Sequence, residues 1–225
     1  MNMTSLKNER GFTLMELMIA SVVTTIVLGT AVALTSQIQN GYRRQLEDSA
    51  AEQEARYALE WVSRYLRGAG TNSMGATTST CVATNTAFEG VIMYPADDSR
   101  ITLQMDSNPP DKAVGGISPD CTQANEQVTI SFCSEAAFLA ETCTAPNTIQ
   151  FLDDVVGDDA ATRTDNVIDD LQFTFFGDDG ATAAVNNASI RYVTVSITVR
   201  TRTINAASGN PDTRTLSTTV RVRDR

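Results

Sequence analysis

The chain of 225 residues contains no histidine. That absence removes Ser-His-Asp and Cys-His catalysis, and every metal site built on an imidazole ligand. Lysine is nearly missing as well, with Lys7 and Lys112 the only two. Aromatic residues are 6% of the chain and the formal net charge is -10. An acidic chain with so few cations is a poor partner for nucleic acid, whose phosphates call for clustered Lys and Arg. There is no CxxC, no Walker A run, no GxSxG and no GxGxxG. Redox-motif, zinc-ribbon, nucleotide-binding and hydrolase readings therefore lack their usual signatures, and no enzymatic activity is expected.

Charge is unevenly placed. Residues 71–190 carry eighteen acids against Arg100, Lys112 and Arg163, whereas residues 191–225 carry seven arginines against Asp212 and Asp224. An acidic middle and a basic end are either two faces of one fold or complements between subunits, and the ordinary reading of such a run is a solvated surface. The densest acidic stretch holds Asp153, Asp154, Asp158, Asp159, Asp165, Asp169 and Asp170, followed by Asp178 and Asp179. Ca²⁺ is the one cation such a stretch would take. The EF-hand order is absent, however, so a solvated acidic loop is the default and no cofactor is expected.

Residues 12–35 read FTLMELMIASVVTTIVLGTAVALT, with Glu16 the single ionisable group. A helix of that length covers ~36 Å, enough for a hydrocarbon core of ~30 Å. Lys7 and Arg10 precede it, which places residues 1–11 in the cytoplasm and the remainder outside. A lone carboxylate in such a span costs on the order of a few kcal/mol and is a functional candidate by default. No cation lies at helical spacing from Glu16, so the expectation is that its partner comes from elsewhere or that it is protonated. Cutting between Gly11 and Phe12 would create an α-amine able to meet Glu16 of an adjacent subunit.

Arg10-Gly11-Phe12-Thr13-Leu14-Met15-Glu16-Leu17 resembles the prepilin signal of type IV pilins and type II secretion pseudopilins. The resemblance implies that a prepilin peptidase cuts after Gly11, that Phe12 is then N-methylated, and that Glu16 docks the subunit into a growing filament. Residues 53–70, QEARYALEWVSRYLRGAG, and residues 165–180, DNVIDDLQFTFFGDDG, are similar to segments of PilW-type minor pilins. That finer resemblance implies a minor pilin that primes filament assembly and sits at the tip. Its partners would be other minor pilins, the major pilin, an inner-membrane platform protein driven by an assembly ATPase, and membrane lipid before assembly. A minor pseudopilin of type II secretion is the alternative, and a membrane-anchored periplasmic binding domain the second.

The remaining pattern gives the architecture. The helix is expected to continue to residue 68, stopped by Gly68-Ala69-Gly70, with Tyr57, Trp61 and Tyr65 recurring every four residues and Ala58, Val62 and Leu66 beside them as one apolar stripe against a sheet. Strand-like runs follow at 90–94, 100–105, 127–133, 148–152, 170–176, 189–202 and 213–223, the last two as a long hairpin across Gly209-Asn210-Pro211. The expected fold is α+β and type IV pilin-like: a leader at 1–11, a spine helix at 12–68 with 12–35 transmembrane, and an antiparallel β-rich domain at 69–225. Cys81, Cys121, Cys133 and Cys143 all lie in the exported part, where an even number suggests two disulfides in one of three connectivities. Cys133–Cys143, which ties off a short loop, is favoured, leaving Cys81–Cys121. Four free thiols are the other reading.

Overall fold

The computed structural model describes residues 11–77, 81, 87–106, 111–116, 121–155, 161–204 and 209–223. Contacts divide the chain into two compact units at Leu46/Glu47. Helix α1 runs Leu14–Gly68, with Arg67 in its last turn. In the first unit its side chains are exposed, including the large apolar ones from Leu14 to Leu46. Gly29 and Gly41 do not interrupt it.

In the second unit, α1 buries Ala51, Ala55, Ala58, Leu59, Val62 and Leu66, a 3.6-period stripe of small residues giving way to larger ones. Small residues let the sheets come close to the helix axis. The packing face expected from the sequence, Tyr57, Trp61 and Tyr65 with Ala58, Val62 and Leu66 beside them, is the buried one at Ala58, Val62 and Leu66, and needs correction at Tyr57. Tyr57 is 55% exposed, because the face turns toward the Ala and Val positions one residue on. Trp61 and Tyr65 flank the core and pack on Phe151, with ring centroids 5.5 and 5.2 Å away. Gly70, at φ 77°, turns the chain out of the helix, where a Cβ would stand 2.9 Å from Arg223 O.

The strands form two antiparallel sheets. The first is a meander in sequence order: β1 (Val91–Met93), β2 (Arg100–Gln104), β3 (Gln127–Cys133), β4 (Thr148–Asp153) and β5 (Ala161–Thr162). The second is β6 (Ile168–Phe176), β7 (Tyr192–Ile204) and β8 (Pro211–Arg221). The β7–β8 hairpin keeps one register from Tyr192↔Arg221 to Arg200↔Thr213. Alternation along β7 buries Val193, Val195, Ile197 and Val199 in the core with Leu171 and Phe173 of β6, Ile101 and Leu103 of β2, and Val128 and Ile130 of β3. The long helix and antiparallel strands make an α+β, type IV pilin-like fold.

Two features depart from a simple alternation. On the face of the first sheet away from this core, four side chains of β2 and β3 are polar, yet they are buried and paired: Thr102 Oγ1 lies 2.6 Å from Thr129 Oγ1, and Gln104 Nε2 donates to Gln127 Oε1 at 2.8 Å. Satisfied in this way, they avoid the ~1–3 kcal/mol cost of an unmade buried bond. The second feature is helix α2 (Glu135–Leu139), capped by Ser134 accepting from Ala137 N–H, which occupies the loop after β3. The cysteines are paired Cys81–Cys121 and Cys133–Cys143, the latter closing the α2 loop onto β3.

The basic end of the chain meets acids within the second unit. Arg214 of β8 contacts Asp48 at 2.5 Å and Glu52 at 3.6 Å on α1, while Thr203 donates through its N–H and hydroxyl to Glu47. Arg191, Arg200 and Arg202 reach Asp178, Asp169 and Asp165 at 3.0, 3.7 and 3.5 Å. These pairs have exposed members, so each adds at most about 1 kcal/mol. Those of Arg214 and Thr203 tie Glu47, Asp48 and Glu52 of α1 to β7 and β8 within the second unit.

Candidate assembly site

The site expected from the sequence is Gly11, Phe12 and Glu16. Phe12 is 90% exposed, and a Cβ built at Gly11 meets nothing within 4 Å among the described residues. The folded chain thus places no steric demand for glycine at position 11. Thr13 stands at the N-cap of α1 and Glu16 three residues on, which is the spacing of a capping box. Thr13 N–H donates to Glu16 Oε2 at 2.9 Å, and the Thr13 hydroxyl donates to the same oxygen at 3.0 Å. Glu16 N–H donates back to Thr13 Oγ1 at 3.2 Å.

This corrects the expectation that every partner of Glu16 lies outside its own segment. No cation is at helical spacing, but Thr13 supplies a local hydrogen-bond partner that sequence reasoning missed. The signal was present as T-x-x-E directly before an apolar run. The carboxylate also lies at the positive end of the helix dipole, where negative charge is favoured. Glu16 is therefore partly satisfied as an isolated chain, and one carboxylate oxygen, Oε1, makes none of these three bonds.

The helix behind the site meets the physical requirements of a lipid-facing segment. It is the one described helix long and apolar enough to cross a membrane, by length and composition. Between Leu14 and Thr35 its hydroxyls are all turned onto the backbone: Ser21 to Met18 O, Thr24 to Ala20 O, Thr25 to Ser21 O, Thr30 to Val27 O and Thr35 to Ala31 O, at 2.7–2.8 Å. Back-bonding of this kind hides polar groups that would otherwise face hydrocarbon unpaired.

The acidic run is dispersed by the fold. Asp153 accepts from Asn125 and Val155 N–H, Asp154 from the Thr129 hydroxyl, and Asp179 from Ala181 N–H and from both the N–H and the hydroxyl of Thr182. Burial pushes the Asp154 carboxyl above its ordinary value, while the Thr182 and Ala181 donors hold Asp179 down at about 2. Asp158 and Asp159 lie outside the described residues. Among the described residues no three acids or thiols gather in a way that could hold a metal ion.

Comparison with known proteins identifies the N-terminal element. Residues 6–32 match the prokaryotic N-terminal methylation motif. No curated protein and no solved structure matches the chain. The motif, with an apolar helix directly behind it, supports a type IV pilin-like protein, a pilin or a pseudopilin, of a kind that is typically structural and not enzymatic. It also implies processing by a prepilin peptidase, assembly with pilus-type components, and an inner-membrane anchor.

Proposed function

We propose that this chain is a minor pilin of a type IV pilus that primes filament assembly and takes a place at the tip. The observation that carries the reading is the methylation motif leading into an exposed apolar segment, residues 12–35, whose one acid, Glu16, sits in the first turn of α1. The mechanism is physical. The apolar helix waits in the inner membrane with the β-rich unit in the periplasm, and a prepilin peptidase frees Phe12 by cutting after Gly11. N-methylation of Phe12 follows. The amine of Phe12 on a neighbouring subunit then meets Glu16, so that a carboxylate costly in lipid becomes the register mark for docking. A platform protein driven by an ATPase lifts the subunit, and the helix exchanges lipid for the helices of other minor pilins and the major pilin. Similarity of residues 53–70 and 165–180 to PilW-type minor pilins supports the minor-subunit assignment.

Deleting the gene in a strain unable to retract pili, with a complemented control, tests this by electron microscopy of surface filaments. A sharp loss restored by complementation is expected. Unchanged filament numbers together with exoproteins trapped in the periplasm would instead assign the chain to a type II secretion system.

A further inference from the structure

Between Glu16 and Arg43 the chain carries no charged residue, and Arg43 and Arg44 are the only cations among the described residues of the first unit. Both are exposed, and so is Tyr42 just before them. Neither guanidinium has a hydrogen-bond or ion-pair partner among the described residues of that unit. The acids four residues on, Glu47 and Asp48, are the ordinary counter-ions at helical spacing. Both are committed within the second unit. Glu47 accepts from the N–H and hydroxyl of Thr203, and Asp48 holds Arg214.

Position along the helix decides what meets the two arginines. From Glu16 to Arg43, α1 covers ~40 Å at ~1.5 Å per residue, against a bilayer of ~40–45 Å with its headgroups. With Glu16 at one interface, Arg43 and Arg44 reach the phosphate layer of the other. Cα–Cβ bonds in a helix tilt toward its N-terminus, which here is the membrane side. Both long side chains therefore lean back toward the headgroups. Tyr42 joins an apolar ring to a polar tip, the form favoured at that depth.

Three consecutive residues also fan through roughly 200° about the axis, at about 100° per step. A partner helix covers one side of α1, whereas a headgroup layer surrounds it and meets all three. Guanidinium forks match phosphate oxygens, and an anionic headgroup keeps an attraction that the ammonium of a zwitterionic one partly cancels.

We propose that Arg43 and Arg44, with Tyr42, bind anionic phospholipid headgroups on the periplasmic side of the inner membrane before assembly. The proposal rests on the membrane-stored helix of the reading above and deepens it, by naming the lipid class and the residues that hold it. Anchored at this end, the helix keeps a fixed depth, with Glu16 level with the cytoplasmic interface until the subunit is lifted.

The test places the mature protein, beginning at Phe12, in phosphatidylcholine vesicles with a trace of chain-spin-labelled phosphatidylglycerol or phosphatidylcholine. Both leaflets carry the same lipids, so the orientation of the protein does not matter. Electron spin resonance reads the fraction of label slowed at the protein surface. Phosphatidylglycerol is expected to associate about fivefold more strongly, the factor of one arginine near an anionic surface. Arg43→Gln with Arg44→Gln removes most of that preference, leaving the share of the Phe12 amine, while Arg43→Lys with Arg44→Lys retains it. Both positions are exposed, so urea melts of the β-rich unit stay unchanged in each variant. Equal association of the two lipids, or a preference that survives the double glutamine change, overturns the proposal while leaving the pilin reading intact. Loss of the double glutamine variant from filaments at unaltered lipid preference also overturns it, and assigns the arginines to acids of a neighbouring subunit. A chain that fails to float with the vesicles overturns the proposal and the membrane-stored reading together.

Discussion

Thr13 and Glu16 cap α1 reciprocally: one threonine hydroxyl donates to the Glu16 carboxylate at 3.0 Å and accepts from the Glu16 N–H at 3.2 Å. The residue proposed to dock the subunit is thus also the residue that finishes its own helix. An acid held in this way presents its carboxylate at a set place at the end of the apolar segment, ready for an amine from a neighbour.

Thr13→Val deletes two of the three bonds and is expected to fray the first turn by about 1 kcal/mol, with Thr13→Ser nearly neutral. Amide exchange at Glu16 in micelles reads this directly: faster in the valine variant, unchanged in the serine one. Equal exchange in all three proteins would mean that the cap contributes nothing.

Glu16→Ala should leave the protein in the membrane and remove it from filaments, since the docking partner of the amine is gone while the segment becomes more apolar. Fractionation followed by immunoblotting of sheared filaments checks both halves. Normal incorporation of the alanine variant contradicts the docking role.

The two disulfides close loops of different size, with sequence separations of 40 and 10. By chain entropy, Cys81→Ser with Cys121→Ser should lose about 4 kcal/mol, and Cys133→Ser with Cys143→Ser about 2–3 kcal/mol. Urea melts of the β-rich unit in the full chain give the order, and the reverse order would point to residual structure near residues 81 and 121 in the unfolded state.

Leu66, fully buried, should lose about 2–5 kcal/mol as Leu66→Ala. Tyr57→Ala should change stability little, because Tyr57 is mostly outside the core. A large loss for Tyr57→Ala in the same urea melts would restore the aromatic stripe as a packing face.

Two aspartates give opposite acid responses. Asp179 is held at about 2, so its contribution is fully present above its unfolded value near 3.8 and is lost as pH falls through about 2. Asp154 is raised, so its charge opposes folding at neutral pH, and stability is regained as pH falls through its folded value toward 3.8. Urea midpoints against pH should therefore show Asp154→Asn gaining on the parent chain at pH 7 relative to pH 3.5, while Asp179→Asn loses more at pH 5 than at pH 2. Parallel profiles for all three proteins would refute both assignments.

Much of this was legible in the sequence, for identifiable reasons. β3 was readable at its full extent, 127–133, because β-branched and polar residues alternate between Asn125 and the Cys133 loop. The β7–β8 hairpin stood out through its run of Val, Ile and Thr. The helix end was marked by Gly68 and Gly70. What escaped detection depended on tertiary context. The division into two sheets rests on the break between Thr162 and Ile168, and β5 is too short to carry a period. The buried polar side of β2 and β3 reads as a solvent face, since periodicity cannot tell a satisfied interior threonine from an exposed one. Tyr57 misleads because its four-residue spacing from Trp61 puts it on the apolar stripe, whereas the buried face is centred on Ala58, Val62 and Leu66 and leaves Tyr57 at its margin. Thr13 is hard to read as a partner because a carboxylate in an apolar span calls for a cation, whereas here it meets a hydroxyl.

The most direct test is intact-mass and N-terminal analysis of the protein purified from membranes of its own host. The account predicts a chain beginning at Phe12 and carrying one methyl group on its α-amine. A chain that retains Met1, or is cut anywhere other than after Gly11, would contradict it and leave a plain membrane anchor in its place.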